Sequence, residues 1–296
     1  MKKTLVTLLM LGVLLSVSAT VAAEPAIING SIDWNQGVIT AIGTGAPPAS
    51  AHSQAQSNAM ARRAAIVDGY RNLAELIAGV RVEGETTVRN FEVASDVIRT
   101  RVEAMIKGAR IISEMPMPDG SYQVTMQINL YGDNSVAAAI QDKMAPAVIL
   151  PVPQPSPSYK PNDVIPAQPQ PQVPGKPVTI MPIYTGVVVD ARGLGLERVM
   201  SPRIYDEAGR IVYGNMYIDP NFVVKRGMVD YASDPDMIAE VTTGKSRAGN
   251  YPIIVKAIGL KDFNANVVIS QADADKILAA NQQSGFIKQT AVVFEQ

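Results

Sequence analysis

This sequence predicts an α+β fold: two small α+β domains, helices packed on a small sheet, joined by a proline-rich linker. Three observations carry that expectation. Twelve of the 21 prolines fall between Pro146 and Pro182. The segment before them alternates strand-like and helix-like periodicities, and the segment after them is dominated by short β-branched runs. A length of 296 residues is also that of about two domains. The boundaries drawn from these features are a signal at 1–23, a first domain at 24–145, a linker at 146–182 and a β-rich second domain at 183–296.

The first 23 residues have the order of a cleaved secretory signal. Lys2 and Lys3 precede an apolar run from Leu5 to Val17, broken only by Thr7, Gly12 and Ser16, and Val21-Ala22-Ala23 places small residues at a cleavage site. The run is shorter than the ~20 apolar residues that span a bilayer. The expected mature chain begins near Glu24 and works outside the cytoplasm, periplasmic or secreted, with no integral membrane span after cleavage. The signal contains two of the 26 basic residues and none of the 27 acids, so 24 basic side chains remain and the formal charge is −3. That balance gives no electrostatic reason to expect nucleic acid or anionic lipid as a partner. The absence of cysteine excludes a disulfide scaffold, thiol nucleophiles, iron–sulfur ligation and bacterial lipoprotein-type acylation.

In the first domain, Ile32 to Ile42 predicts a strand or short hairpin. Between Ser50 and Ala78, Met60, Ala64, Val67, Tyr70, Ala74 and Ile77 recur at helical steps, and Gly79 stands where a C-cap is expected. Val80 to Val88 is read as extended. Val93, Val97, Ile98, Val102 and Met105 define a second amphipathic helix closed by Gly108. Tyr122, Val124, Met126, Ile128 and Leu130 alternate with polar residues, so this strand is expected to put one face on a core and the other in water.

The linker cannot join a helix or a central strand, because each proline fixes φ, removes a donor and pushes its predecessor toward extended geometry. It is expected to be a polyproline II spacer between independent domains, or a ligand for a proline-binding partner. In the second domain, Thr185 to Asp190 is a β-branched run. The stretches 203–205 and 210–213 flank Asp206-Glu-Ala-Gly209 as a hairpin, and 253–257 and 267–269 are further short strands. Ser270 with Asp273 resembles a capping box before a helix closed by Gly285, and Phe286 to Phe294 is expected as a terminal strand.

The residues that could carry chemistry are few. His52 is the only histidine, so zinc or a Ser-His-Asp triad would have to be completed without the usual partners. Gly193-Leu-Gly195 lacks the rest of a nucleotide loop and is read as a tight turn. Asp230, Asp234, Asp236 and Glu240 lack the order of a calcium loop and suit a solvated helix start. Arg62, Arg63 and Arg71 share their helix with Asp68 and Glu75, which favours paired surface charges over a basic patch. Trp34, the single tryptophan, is either a core or edge anchor or a carbohydrate-stacking ring. No catalytic, cofactor-binding or metal residues are assigned, no cofactor is expected, and the chain is expected not to be an enzyme.

Thr40-Ala-Ile-Gly-Thr-Gly45, followed by a helix containing Ala61-Arg-Arg-Ala-Ala-Ile-Val-Asp68 and Tyr70-Arg-Asn-Leu-Ala-Glu75, resembles the small envelope domain shared by LPP-twenty-type lipoproteins and the N-terminal part of FlgT-like flagellar proteins. The resemblance covers the first domain. It implies a non-enzymatic envelope role, in some members in assembly around the flagellum or outer membrane. This chain departs from the lipoprotein members in having no lipobox cysteine. The expected function is therefore a structural or assembly role in the cell envelope. The expected partners are other envelope proteins, flagellar or outer-membrane components among them. The alternative is a peptidoglycan or polysaccharide binding module.

Overall fold

The computed structural model describes residues 29–144, 148–160 and 183–296. The expected signal at 1–23 and, within the expected linker, residues 146–147 and 161–182 lie outside the described residues. The described chain is α+β, as its periodicities predict.

The first half opens on a hairpin of β1 (Gly30–Asp33) and β2 (Val38–Gly45). The Asp33 carboxylate accepts from the backbone amides of Asn35 and Gln36, both at 2.9 Å, which folds the chain back. The long helix α1 (Gln54–Gly79) follows, its first turn capped by the Ser53 hydroxyl, which accepts from the Gln56 amide at 3.2 Å. A small hairpin of β3 (Arg81–Glu83) and β4 (Thr86–Thr87) leads into α2 (Val88–Ala94) and α3 (Asp96–Lys107). Next come β5 (Arg110–Pro116), β6 (Tyr122–Asn129) and two short helices, α4 (Val136–Ala139) and α5 (Gln141–Met144). The main sheet is antiparallel, in the order β1-β2-β6-β5. The segment 80–88 forms its own hairpin rather than joining this sheet.

Two expectations about faces are corrected. On α1 the buried stripe is Ala61, Ala65, Gly69, Leu73 and Ile77, whereas Met60, Ala64 and Val67 point to solvent, Val67 at 63 % exposure. The cause is the distance of approach. A Cβ on Gly43 would lie 2.1 Å from the Ala65 carbonyl oxygen and 2.3 Å from the Gly69 nitrogen, and one on Gly45 would lie 2.3 Å from the Ala61 oxygen. A helix this close to a strand seats small residues and turns its larger apolar side chains away. The second correction concerns 93–105. Ser95 ends α2 and its hydroxyl accepts from the Ile98 amide to start α3, so Val93 and Val97 are exposed while Ile98, Val102 and Met105 are buried.

The second half contains two sheets. In one, β7 (Gly186–Asp190) lies between β14 (Val292–Glu295) and β11 (Pro252–Lys256), with β10 (Asp230–Ala232) beside β14. All four strands are parallel, and the runs Gly186–Val189 and Val292–Glu295 are buried throughout, the pattern of a sheet covered on both faces. The other sheet is β12 (Gly259–Lys261), β13 (Asn266–Ile269), β8 (Ile204–Asp206) and β9 (Ile211–Tyr213), in that order. The helices are α6 (Pro220–Arg226), α7 (Pro235–Thr242) and α8 (Gln271–Ser284), with a short 3₁₀ turn at Asn215–Tyr217. Ser270 caps α8 through the Asp273 amide at 3.1 Å, and Gly285 ends it in the left-handed region at φ +68°. The terminal strand is shorter than expected, because Phe286 and Ile287 are buried in the turn before it.

One cluster of buried apolar side chains runs through both halves, joining Leu130, Val136 and Met144 to Tyr213, Val223 and Met228. The Gly132 amide donates to the Val224 carbonyl at 2.8 Å, and the Met200 and Ser201 amides donate to the Arg81 and Val82 carbonyls at 3.1 and 2.8 Å. Arg81 pairs with Glu197 and Arg203 with Glu83. The described part of the linker, residues 148–160, is not a free spacer. The Leu150 amide donates to the Met216 carbonyl at 2.7 Å, and the Ser156 amide donates to the buried Asp275 carboxylate at 2.8 Å. Arg210 binds Asp275 and Asp206 together, at 2.7 and 2.8 Å. Burial alone would raise the Asp275 pKa, but the hydrogen bonds from Arg210 and Ser156 outweigh it and hold the carboxyl below the usual range.

Candidate functional site

The most elaborated concave surface lies where the two halves meet. The β1–β2 turn and the end of β6 supply one wall, and the end of α6 and the start of β10 supply the other, around a cavity of about 350 Å³. Trp34 stands on the first wall. Its ring packs edge-on to Tyr231 at a centroid distance of 6.0 Å, and Tyr231 packs edge-on to Phe294 at 6.0 Å. Tyr231 is locked by its hydroxyl, which donates to the Val199 carbonyl at 2.9 Å and accepts from the Val199 amide at 3.0 Å. Trp34 also borders a second cavity of about 430 Å³ with Arg81, Leu196 and Arg198.

Tyr131 and Arg247 form the floor. Gly227 ends α6 at φ +70°, and a Cβ there would lie 2.6 Å from the Tyr131 ring, so both the backbone turn and the ring require glycine. Burial pushes the Tyr131 pKa upward; the Arg247 charge opposes this and the Asp230 charge adds to it, so the phenol stays protonated. The Arg247 guanidinium is almost fully buried. It pairs with Asp230 at 2.5 Å and donates to the carbonyls of Arg226 and Gly227 at 2.7 and 3.2 Å. Its Nε lacks a partner among the described residues. On the rim, Lys225 and Arg226 are exposed, and Asn35, Gln36 and Asn129 present amides. The arrangement is rich in donors and cations, with two aromatic rings, Trp34 and Tyr131.

A second polar cluster closes the C-terminal ends of β7 and β14. Two hydrogen bonds from Arg192, each 2.8 Å, hold the Asp190 carboxyl down at about 2, against a smaller burial effect. Its neighbour Glu295 is pushed up by burial; Arg192 opposes that shift and the Asp190 charge adds to it. Parallel sheets often bind ligands at these strand ends. Here Arg192 fills the position between the two carboxylates.

The residues weighed from sequence are placed as follows. His52 is exposed just before α1, its backbone amide bonded to Gln56. Gly193 and Gly195 have φ of +78° and +75° with open space around them, in a turn after β7. Among the acids, Asp230 holds Arg247, and Asp234 caps α7 while accepting from Asn35 at 3.3 Å. No group of three or more His, Cys, Asp or Glu side chains among the described residues is arranged to hold a metal. Arg62 pairs with Glu114 and Arg71 with Asp68. Of these candidates only Trp34 and Asp230 meet in the cavity. Tyr131, Lys225, Arg226 and Arg247 had no sequence signal, since each is ordinary until the halves pack.

These features define an α+β protein with a basic, amide-lined cleft between two packed halves. Residues 186–294 match the family described as the second domain of Treponema pallidum Tp0624. The match runs from the start of β7 into β14, and so includes Lys225, Arg226, Asp230 and Arg247 but not Trp34. It covers less than half of the chain, which is therefore similar to that domain over this stretch. No curated protein matches the chain.

Proposed function

We propose that this is an exported, non-enzymatic protein of the cell envelope that serves in assembly by adding a strand of a partner envelope protein to the β5 edge. The observation that carries the reading is β5 itself. It is the outer strand of its sheet, all seven residues are exposed, and Ile111, Ile112 and Met115 stand 38–50 % open to solvent. An edge strand leaves alternate backbone donors and acceptors unpaired, which is a template for another strand. The apolar side chains on both faces suit an occupant that covers them, an extended apolar segment rather than a charged one. The resemblance of the first half to envelope domains supports the compartment and, among partners, flagellar or outer-membrane components. The signal-like start supports export. No helix among the described residues is long and apolar enough to cross a membrane.

The test is site-specific photo-crosslinking in intact cells. A crosslinker at Ile112 should give one discrete adduct with an envelope protein, and one at the exposed Gln283 on α8 should give none. Met115→Lys, on the same edge, should abolish the adduct while leaving the thermal midpoint unchanged. Equal adducts from both positions, or an adduct that survives Met115→Lys, would refute strand addition at β5. A deletion strain with intact envelope and motility would count against the flagellar version.

A further inference from the structure

No residue of β5 lines the cleft at Trp34, and nothing in the assembly reading uses it. Its polar groups are unevenly spent. Arg247 is committed to Asp230 and to main-chain carbonyls, which fixes the floor. Lys225 and Arg226 form no ion pair among the described residues, although both line the cavity. The side chains of Gln36 and Asn129, the Tyr131 hydroxyl and the Trp34 indole N–H likewise make no hydrogen bond among the described residues. With Asp230 already paired, the net unspent charge of the cavity is positive. A placement of Lys225 and Arg226 for the α6 dipole accounts for their position on the helix. It does not account for the amides and the indole opposite them on the other half of the chain.

A ligand that satisfies this set carries many acceptors, a negative charge and a flat C–H face to lie on the indole. Sugar rings supply the acceptors and the face. A carboxylate suits the planar fork of an arginine beside a lysine. The volume of about 350 Å³ lies toward the small end of ordinary ligand sites. We propose that the cleft between the two halves binds an acidic oligosaccharide, with Lys225 and Arg226 on its carboxylate, Asn129 and Gln36 on its hydroxyls and Trp34 against a ring.

Trp34 is the only tryptophan, so emission excited selectively over the ten tyrosines reports on the two cavities that border it, and the Lys225 and Arg226 substitutions assign a change to this one. The mature chain is titrated with a uronic-acid trisaccharide, its neutral counterpart and inorganic phosphate. The acidic trisaccharide should change Trp34 emission saturably, with affinity falling about tenfold between low and high salt. The double variant Lys225→Gln, Arg226→Gln should weaken it about tenfold or more at an unchanged thermal midpoint, since both side chains are exposed. The edge variant Met115→Lys should bind like the unaltered chain, which separates this site from strand addition at β5. The proposal is overturned by no saturable change with the acidic trisaccharide, by equal binding of the neutral sugar or of phosphate, or by undiminished binding in the double variant.

Discussion

Replacing Gly43 with alanine adds one methyl group where α1 crosses β2, and the geometry sets its cost. The new carbon would lie 2.1 Å from the Ala65 oxygen, 2.3 Å from the Gly69 nitrogen and 2.6 Å from the Gly69 Cα, whereas ordinary contact begins near 3.4 Å. Every one of these neighbours is main chain, so no rotamer change can make room. The helix has to move off by about 1 Å or more, which loosens Ala61, Ala65 and Leu73 together. Overpacking usually costs about 1–3 kcal/mol, and rigid neighbours place this case at about 3. In a chain of this size that lowers the thermal midpoint by about 6–12 °C. Gly79→Ala is the control: nothing lies within 4 Å of a Cβ there. It should leave stability unchanged or raise it by up to about 1 kcal/mol. Thermal unfolding followed by circular dichroism measures both. A Gly43→Ala midpoint within about 1 °C of the parent would refute the claim that helix–strand proximity dictates glycine here.

Three further outcomes are expected. Asp275→Ala removes the anchor of Ser156 and one of the two carboxylates on Arg210; it should cost about 1–3 kcal/mol and speed proteolysis within residues 148–160. Glu295→Gln removes a carboxylate whose folded pKa is raised, so its charged form weakens the fold above the carboxylate range. The variant should melt higher than the parent at pH 7 and lose that advantage as pH falls through this range, checked by melting curves at several pH values. Residues 183–296 produced alone expose the surface that packs on Leu130 and Met144, and should bind an apolar dye more strongly than the whole chain.

The elements that could be read from sequence were those whose signals are local. The Ser270 cap, the Gly285 stop and the alternation in β6 each depend on residues a few positions apart, and each is present in the structure. The face of α1 was misread because apolar size favours Met60 and Val67, while closeness to Gly43 and Gly45 favours alanine and glycine. No apolar alternation marked β5, because an exposed edge with a register shift at Ile111/Ser113 has none to show. The parallel pairing of β7 with β11 and β14 joins distant segments and leaves no local trace. The cleft was the least legible part. Trp34 was noticed only for its rarity, and its neighbours Tyr231, Lys225 and Arg247 come from the other half of the chain.

The two carbonyls that β3 lends to Met200 and Ser201 bear on how such a chain can be rearranged in evolution. Those amides lie in the second half, inside the stretch shared with the Treponema pallidum domain, yet their acceptors lie outside it. A second half moved into another context would have to find new acceptors for both amides, or let the loop at 199–203 adopt another path. Comparing that loop across chains that have different leading segments would show which segments were inherited as a unit and which were joined later.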